Sequence, residues 1–207
     1  MSTTAITPTH TQAFDPNQAQ NAAEIEKQFA VKAVEHAQTY WNLLGAIPPR
    51  DLKLTSVDDE LYEAVLEAFP PADKPKEGVK TFDYTKLDED MMKTPDGKER
   101  WRAFISKFEN KVKDFNFGSL IRTDASGEYT ERNTMFVTRI QFYAIEIVRN
   151  RHGLNDASCE IAKKDAEEER QKKEKKKKEK EERRAAKEKE RLEKEAQEKA
   201  ATEKESA

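Results

Sequence analysis

Arg139, Phe142, Glu146 and Arg149 stand three, four and three residues apart, the spacing that lines side chains along one face of an α-helix. Two guanidiniums, a carboxylate and an aromatic ring in one row could act in two ways. Exposed, they would anchor a protein partner, because arginine and aromatic side chains dominate binding hot spots. Covered by the N-terminal helix, the ring would be core and the charges would pair with one another. A second polar group lies just upstream, where Arg122, Asp124, Tyr129, Glu131, Arg132 and Asn133 surround a glycine-containing turn. The candidate partner-binding set is therefore Arg122, Tyr129, Glu131, Asn133, Arg139, Phe142, Glu146 and Arg149.

Other residue types that could carry chemistry do not assemble into a catalytic set. Asp58 and Asp59 are adjacent carboxylates, but two acids at a helix start are explained by the positive end of its dipole. His10, His36 and His152 are far apart in sequence and form no metal-ligand spacing, so neither a metal nor another cofactor is expected. Cys159 is the single cysteine. It excludes an internal disulfide, suits a reducing compartment and reads as a small apolar residue near the domain edge.

These residues need helices to hold them. Asn21 and Glu24 resemble a capping box, followed by Ile25, Phe29, Ala33, Ala37, Tyr40 and Leu44 at helical spacing, until Gly45 and Pro48-Pro49 stop the run. Thr55 or Ser56 is expected to cap a second helix with Leu61, Val65 and Phe69 on its apolar face. A loop then runs to Lys93, with a helical turn near Leu87 to Met92. Thr94-Pro95 starts a further helix, since proline fits the first helical position. Its apolar face runs from Trp101 through Phe104, Phe108 and Val112 to Phe115. Leu120 to Thr123 and Glu128 to Glu131 are predicted as hairpin arms. Asn133 or Thr134 would then cap a last helix ending at Gly153, with Phe136, Val137 and Ile140 in its apolar arc. The fold class is mainly α: a compact helical domain with one small β-hairpin and a long charged C-terminal tail, helical or disordered.

The charge distribution sets the domain limits. The 207 residues carry 38 Lys and Arg against 41 Asp and Glu, a net charge of -3, with 38% of all residues charged. From Ile161 onward there are 18 basic and 15 acidic residues, so that stretch is net +3 and residues 1–160 are net -6. Arg170 to Arg191 alone holds 13 basic and 6 acidic side chains. Residues 1–20 read as a disordered arm, 21–155 as the helical domain and 156–207 as the tail. Glutamates four residues from lysines or arginines favour a solvated helix, and without an apolar seam no coiled coil is expected. Lys175, Lys176, Lys177, Lys178, Arg183 and Arg184 could contact RNA phosphates or an acidic protein surface, or serve only solubility. Interleaved aromatics for base stacking are missing, which argues against sequence-specific nucleic-acid recognition. No stretch approaches the roughly 20 apolar residues of a membrane span, and the N-terminus has no signal-peptide pattern. A cytoplasmic protein, with nuclear entry open, is expected.

Five motifs in order, KLTSVDDELY (Lys53 to Tyr62), ERWRAF (Glu99 to Phe104), DFNFGSLIR (Asp114 to Arg122), YTERNTMF (Tyr129 to Phe136) and RIQFYAIEIVRNRHG (Arg139 to Gly153), carry a resemblance. Together they resemble the eukaryotic polysaccharide biosynthesis domain-containing protein 1 family over about residues 25–155. What the resemblance implies is a dedicated chaperone, not an enzyme, engaging the GTP-binding domain of translation elongation factor 1-alpha during or soon after synthesis. Two alternatives stay open: a ribosome- or RNA-associated protein acting through its basic tail, held there by the ribosome or a ribosome-bound nascent-chain factor, and a methyltransferase of polysaccharide biosynthesis. The glycines, at 45, 78, 97, 118, 127 and 153, are scattered, and no strand, glycine-rich turn and helix succession offers the usual nucleotide or S-adenosylmethionine site.

Overall fold

The computed structural model describes the backbone of residues 19–205 and the side chains of residues 27–188. Six α-helices and one antiparallel hairpin follow in the order α1 (Ala19–Ala46), a 3-10 turn (Pro49–Asp51), α2 (Asp58–Ala68), α3 (Glu89–Lys93), α4 (Pro95–Ser106), β1 (Gly118–Arg122), β2 (Thr134–Thr138), α5 (Arg139–Arg151) and α6 (Asp156–Glu205). The mainly α class with a single small hairpin holds. The arm expected over residues 1–20 lies outside the described residues except for its last two, which are helical, and the side chains of the Asn21 and Glu24 box lie outside them too.

Helix α5 is the axis of the domain. Ten of its residues are buried, including Ile140, Ile145 and Val148 on one side and Phe142, Glu146 and Arg149 on the other, so no side of it is left as a solvent face. Helix α1 reaches it through His36 and Tyr40 and buries Ala33, Ala37 and Leu44 in the same interior. Helices α2 and α4 add Leu61, Val65, Phe69, Trp101 and Phe104, all nearly inaccessible, with Phe69 stacked on Trp101 at a centroid separation of 4.1 Å. The α2–α4 connection is fastened rather than loose. Arg100 donates to Ala68 O and Lys80 O at 2.8 and 2.9 Å, and Tyr84 Oη donates to Phe69 O at 2.7 Å.

Local signals at the helix starts are partly as expected. The Thr94 hydroxyl accepts from Gly97 N with Pro95 at the first helical position. At α2 the N-cap is Val57, not Thr55 or Ser56. Asp58 instead reaches back, and its carboxylate accepts from Leu54 N and Thr55 N at 2.8 and 2.6 Å. Helix α4 ends at Ser106, and Val112 and Phe115 belong to a succession of turns after it.

Two boundaries differ from the sequence expectation. The hairpin pairs Gly118 with Thr138 through Arg122 with Thr134, so its second arm is Thr134–Thr138, and Glu128 to Glu131 lie in the connecting loop. Met135 and Val137 face inward while Phe136 points out, the period of two that a half-buried strand requires. Phe136 and Val137 are therefore strand, not helix, and α5 starts only after Thr138, whose backbone N–H and hydroxyl both donate to Gln141 Oε1 at 2.9 Å. The second change concerns the tail. Ser158, Cys159 and Ala162 of α6 are buried and Trp41 Nε1 donates to Asp165 Oδ2 at 3.0 Å, so the first turns of α6 belong to the domain.

Gly45 permits that docking. A Cβ placed there would lie 2.8 Å from Ala162 O and 3.0 Å from Ala162 C, backbone atoms with little room to yield. Gly45→Ala is expected to destabilise the protein by about 1–3 kcal/mol, despite alanine's better helix propensity. Chemical denaturation of the full chain checks it.

Candidate functional site

Arg122 from the end of β1 and Glu146 and Arg149 from α5 meet in the interior, each with a fully inaccessible side chain. Glu146 Oε1 accepts from Arg149 Nη1 at 2.9 Å. Its Oε2 accepts from Arg122 Nη2 at 3.3 Å, Tyr40 Oη at 2.8 Å and Asn155 Nδ2 at 2.8 Å. One carboxylate thus ties α5 to α1, to β1 and to the turn before α6.

The guanidiniums turn other donors to backbone carbonyls and to the Asn155 side chain. Arg149 Nε donates to Tyr84 O at 2.7 Å and Nη1 to Arg122 O at 2.8 Å, pinning the α2–α3 loop against the strand end. Arg122 Nη1 donates to Ala125 O at 2.9 Å and Gly127 O at 3.2 Å, and Nη2 to Asn155 Oδ1 at 2.7 Å. Arg122 also lies 5.7 and 5.6 Å from the Trp41 and Tyr129 ring centroids, within cation–π range. The connecting loop of the hairpin is further held by Asn133. Its Oδ1 accepts from Thr123 Oγ1 at 2.8 Å and Asp124 N at 2.7 Å, and its Nδ2 donates to Glu128 O at 2.9 Å.

This places the candidate residues plainly. Of the two readings of the α5 row, the covered one holds and the exposed anchor does not: Phe142 is 1% exposed, its ring edge-on to His36 at 4.8 Å and Tyr40 at 5.0 Å, and Glu146 and Arg149 are sealed with Arg122. The reason is that α1 and the hairpin cover the side of α5 that an isolated helical wheel assigns to water. Only Arg139 of that row is partly accessible, 3.8 Å from Asp114 and over the Phe117 ring. Tyr129 is half-buried beside Trp41, Asn133 is a loop clamp, and Glu131 is exposed. Lys175, Lys176, Lys177, Lys178, Arg183 and Arg184 are all exposed on α6.

Sequence reasoning missed Tyr40, Asn150 and Asn155. Asn150 lies four residues after Glu146, and Asn155 stands two residues past Gly153, whose φ of +74° turns the chain back; among the polar residues around them neither carries a local signal. Asp58 and Asp59 prove to be structural, the first holding the turn before α2 and the second bonded to Arg151 at 2.6 Å. Among the described residues no group of three or more His, Cys, Asp and Glu is placed to hold a metal ion, and no helix is long and apolar enough to cross a membrane.

The electrostatics follow from this geometry. Burial disfavours the charged form of Glu146, yet the two guanidiniums and the hydrogen bonds from Asn155 and Tyr40 outweigh it and hold its pKa below the ordinary 4.5. Burial, then the Glu146 charge, pushes the Tyr40 hydroxyl well above 10. Burial, aided by the Arg139 charge, lowers His36 to about 4; it is neutral at pH 7. Four donors converge on its two oxygens and its side chain is fully inaccessible, so Glu146 presents nothing to a substrate. The cluster is built to lock elements together.

Such a fold and such a sealed polar centre define a helical domain whose charged interior is structural. A family model described as PBDC1 protein matches residues 25–160. The chain is 54% identical over 143 residues to the Protein PBDC1 homolog of Saccharomyces cerevisiae, covering 69% of this chain and 94% of that one. It is 50% identical to the homolog of Schizosaccharomyces pombe, covering 69% and 93%, and 41% identical to Protein PBDC1 of Mus musculus, covering 79% and 78%. A solution NMR structure of a Saccharomyces cerevisiae protein superposes with a TM-score of 0.59 at 49% identity, covering 70% of this chain and 96% of that one. The chain belongs to the PBDC1 family.

Removing the carboxylate charge tests the lock. Glu146→Gln leaves two buried guanidiniums unpaired and should cost about 3–5 kcal/mol in denaturant unfolding. A carboxyl held below its unfolded pKa adds stability that is complete above about 4.5 and fades as pH falls through the lowered value. The native chain should therefore lose stability on acidification below that point, with the part owed to Glu146 missing from the variant's profile.

Proposed function

We propose that this protein is a dedicated chaperone that binds the nascent or newly made GTP-binding domain of translation elongation factor 1-alpha and assists its folding. Membership of the PBDC1 family across residues 25–160 carries the reading, because that role is what the family resemblance implies. The physical arrangement supports it. A chaperone for a single client needs an apolar, charge-rimmed surface and no nucleotide site of its own, since the client's nucleotide binding can draw folding forward by mass action.

The surface available for this is not the interior row on α5. Phe136 is 60% exposed, Val34 56% and Phe29 49%, on β2 and α1. Phe136 leans over Gly118, where a Cβ would sit only 2.1 Å from its ring, so that glycine makes room for it. Glu131 and Arg139 supply charge nearby on the hairpin loop and the start of α5. Phe136→Ser should leave thermal unfolding unchanged and reduce several-fold the elongation factor 1-alpha recovered with the full-length protein from gently lysed, translating cells. Undiminished recovery would remove the hairpin from the client surface. No recovery with the native chain would remove the chaperone reading.

One observation favours a second contact. Lys172 and Lys173 pair with Glu168 and Glu169, whereas Lys175 to Lys178 are exposed with no ion pair among the described residues. Four unpaired charges around one turn suit ribosomal RNA or an acidic ribosome-bound factor. Ribosome co-sedimentation of the full chain should fall steeply with salt and be lost in a chain ending at Glu169, which keeps the docked turns of α6; equal sedimentation of both would exclude this role.

A further inference from the structure

A groove of about 1010 Å³ opens where α6 leaves the domain, between α1, the hairpin loop and the first exposed turns of α6. Helices α1 and α6 run antiparallel from their close approach at Gly45 and Ala162. Beyond the Trp41–Asp165 hydrogen bond, Val34 and Lys173 line the two sides. Val34, Trp41, Leu120 and Tyr129 supply its apolar lining. Six carboxylates and three basic side chains line the groove, and Glu128 and Glu131, both exposed, have no ion pair among the described residues.

We propose that this groove is a docking site for an amphipathic basic helix of a partner protein. Size, shape and charge argue for that occupant together. A helix about 10 Å across and two turns long fills on the order of 850 Å³, close to the volume present. Two antiparallel helices with an unfilled wedge between them offer ridges to a third. An apolar stripe on the incoming helix would cover Val34, Leu120 and the accessible edge of Trp41, as in other helix-in-groove complexes. Lysines or arginines flanking that stripe would meet Glu128 and Glu131, and the surplus of carboxylates would speed encounter and reject acidic helices. The inference does not depend on elongation factor 1-alpha being the client, and it is tested with purified components.

Of the two tryptophans, Trp101 is 2% exposed in the aromatic core, while Trp41 lines the groove, so intrinsic fluorescence reports on this site. The full chain is titrated with a synthetic Leu/Lys amphipathic helical peptide and with its Leu/Glu counterpart. The expected result is a saturable change with the Leu/Lys peptide only, weakened by salt and at least tenfold weaker in the Glu128→Lys, Glu131→Lys double variant, whose side chains are exposed and whose unfolding should be unchanged. Val34→Asp should weaken it independently. An equal response from the double variant, an equal response to the Leu/Glu peptide, or no response at all would overturn the proposal. So would a concentration-dependent dimer in light scattering that Val34→Asp abolishes, because the groove would then belong to a second copy.

Discussion

Glu146 has to stay ionised in a place without water, and much of the domain is arranged to let it. An isolated carboxylate at such depth would be neutralised or would unfold the chain. Here it faces Arg122 and Arg149 and two neutral donors, Tyr40 and Asn155. Each of those four residues comes from a different stretch of chain except Arg149, which lies one turn along α5. The guanidiniums in turn hold backbone carbonyls of the α2–α3 loop and the hairpin loop. Segments with little regular structure of their own are therefore fixed by charge, and a hydrophobic replacement of the triad would have to find other means to place Tyr84, Ala125 and Gly127. Buried ion pairs contribute little net stability compared with well-packed apolar groups; what this one supplies is the position of irregular chain.

The aromatic half of the core does the complementary task. Phe69, Phe82, Trp101 and Phe104 meet in stacked and edge-on pairs, and Arg100 lies 4.7 Å above Phe69 while bonding two carbonyls. In both halves an arginine reaches from a helix or strand to fasten a loop. That shared device lets charged side chains hold irregular chain against a dense interior.

How far the sequence could be read depended on what each residue's own chemistry reveals. Pro95 behind Thr94, Gly45 before two prolines and the spacing of Trp101, Phe104 and Phe108 announced their elements, because cap and periodicity act locally. Glu146 and Arg149 could be read either as a surface stripe or as a covered, internally paired row, since a wheel drawn for one helix cannot register that α1 reaches it with Tyr40. The strand Thr134–Thr138 was hidden by Asn133 and Thr134, good cap residues placed before an apolar run that fits both periods; the alternation of Thr134, Met135, Phe136 and Val137, rich in β-formers, was the stronger clue. The root of α6 docks through Ser158, Cys159 and Ala162, residues too small to register as a hydrophobic face. Of the candidate surface, the exposure of Phe136 and the groove beside Trp41 come from tertiary placement alone.

The burial of Cys159 has a use beyond packing. It is the sole thiol of the chain, 3% exposed, and it sits in the turn by which α6 grips the domain. A thiol in that position reacts only when the grip opens, so its alkylation rate counts how often the root of the long helix lifts from α1.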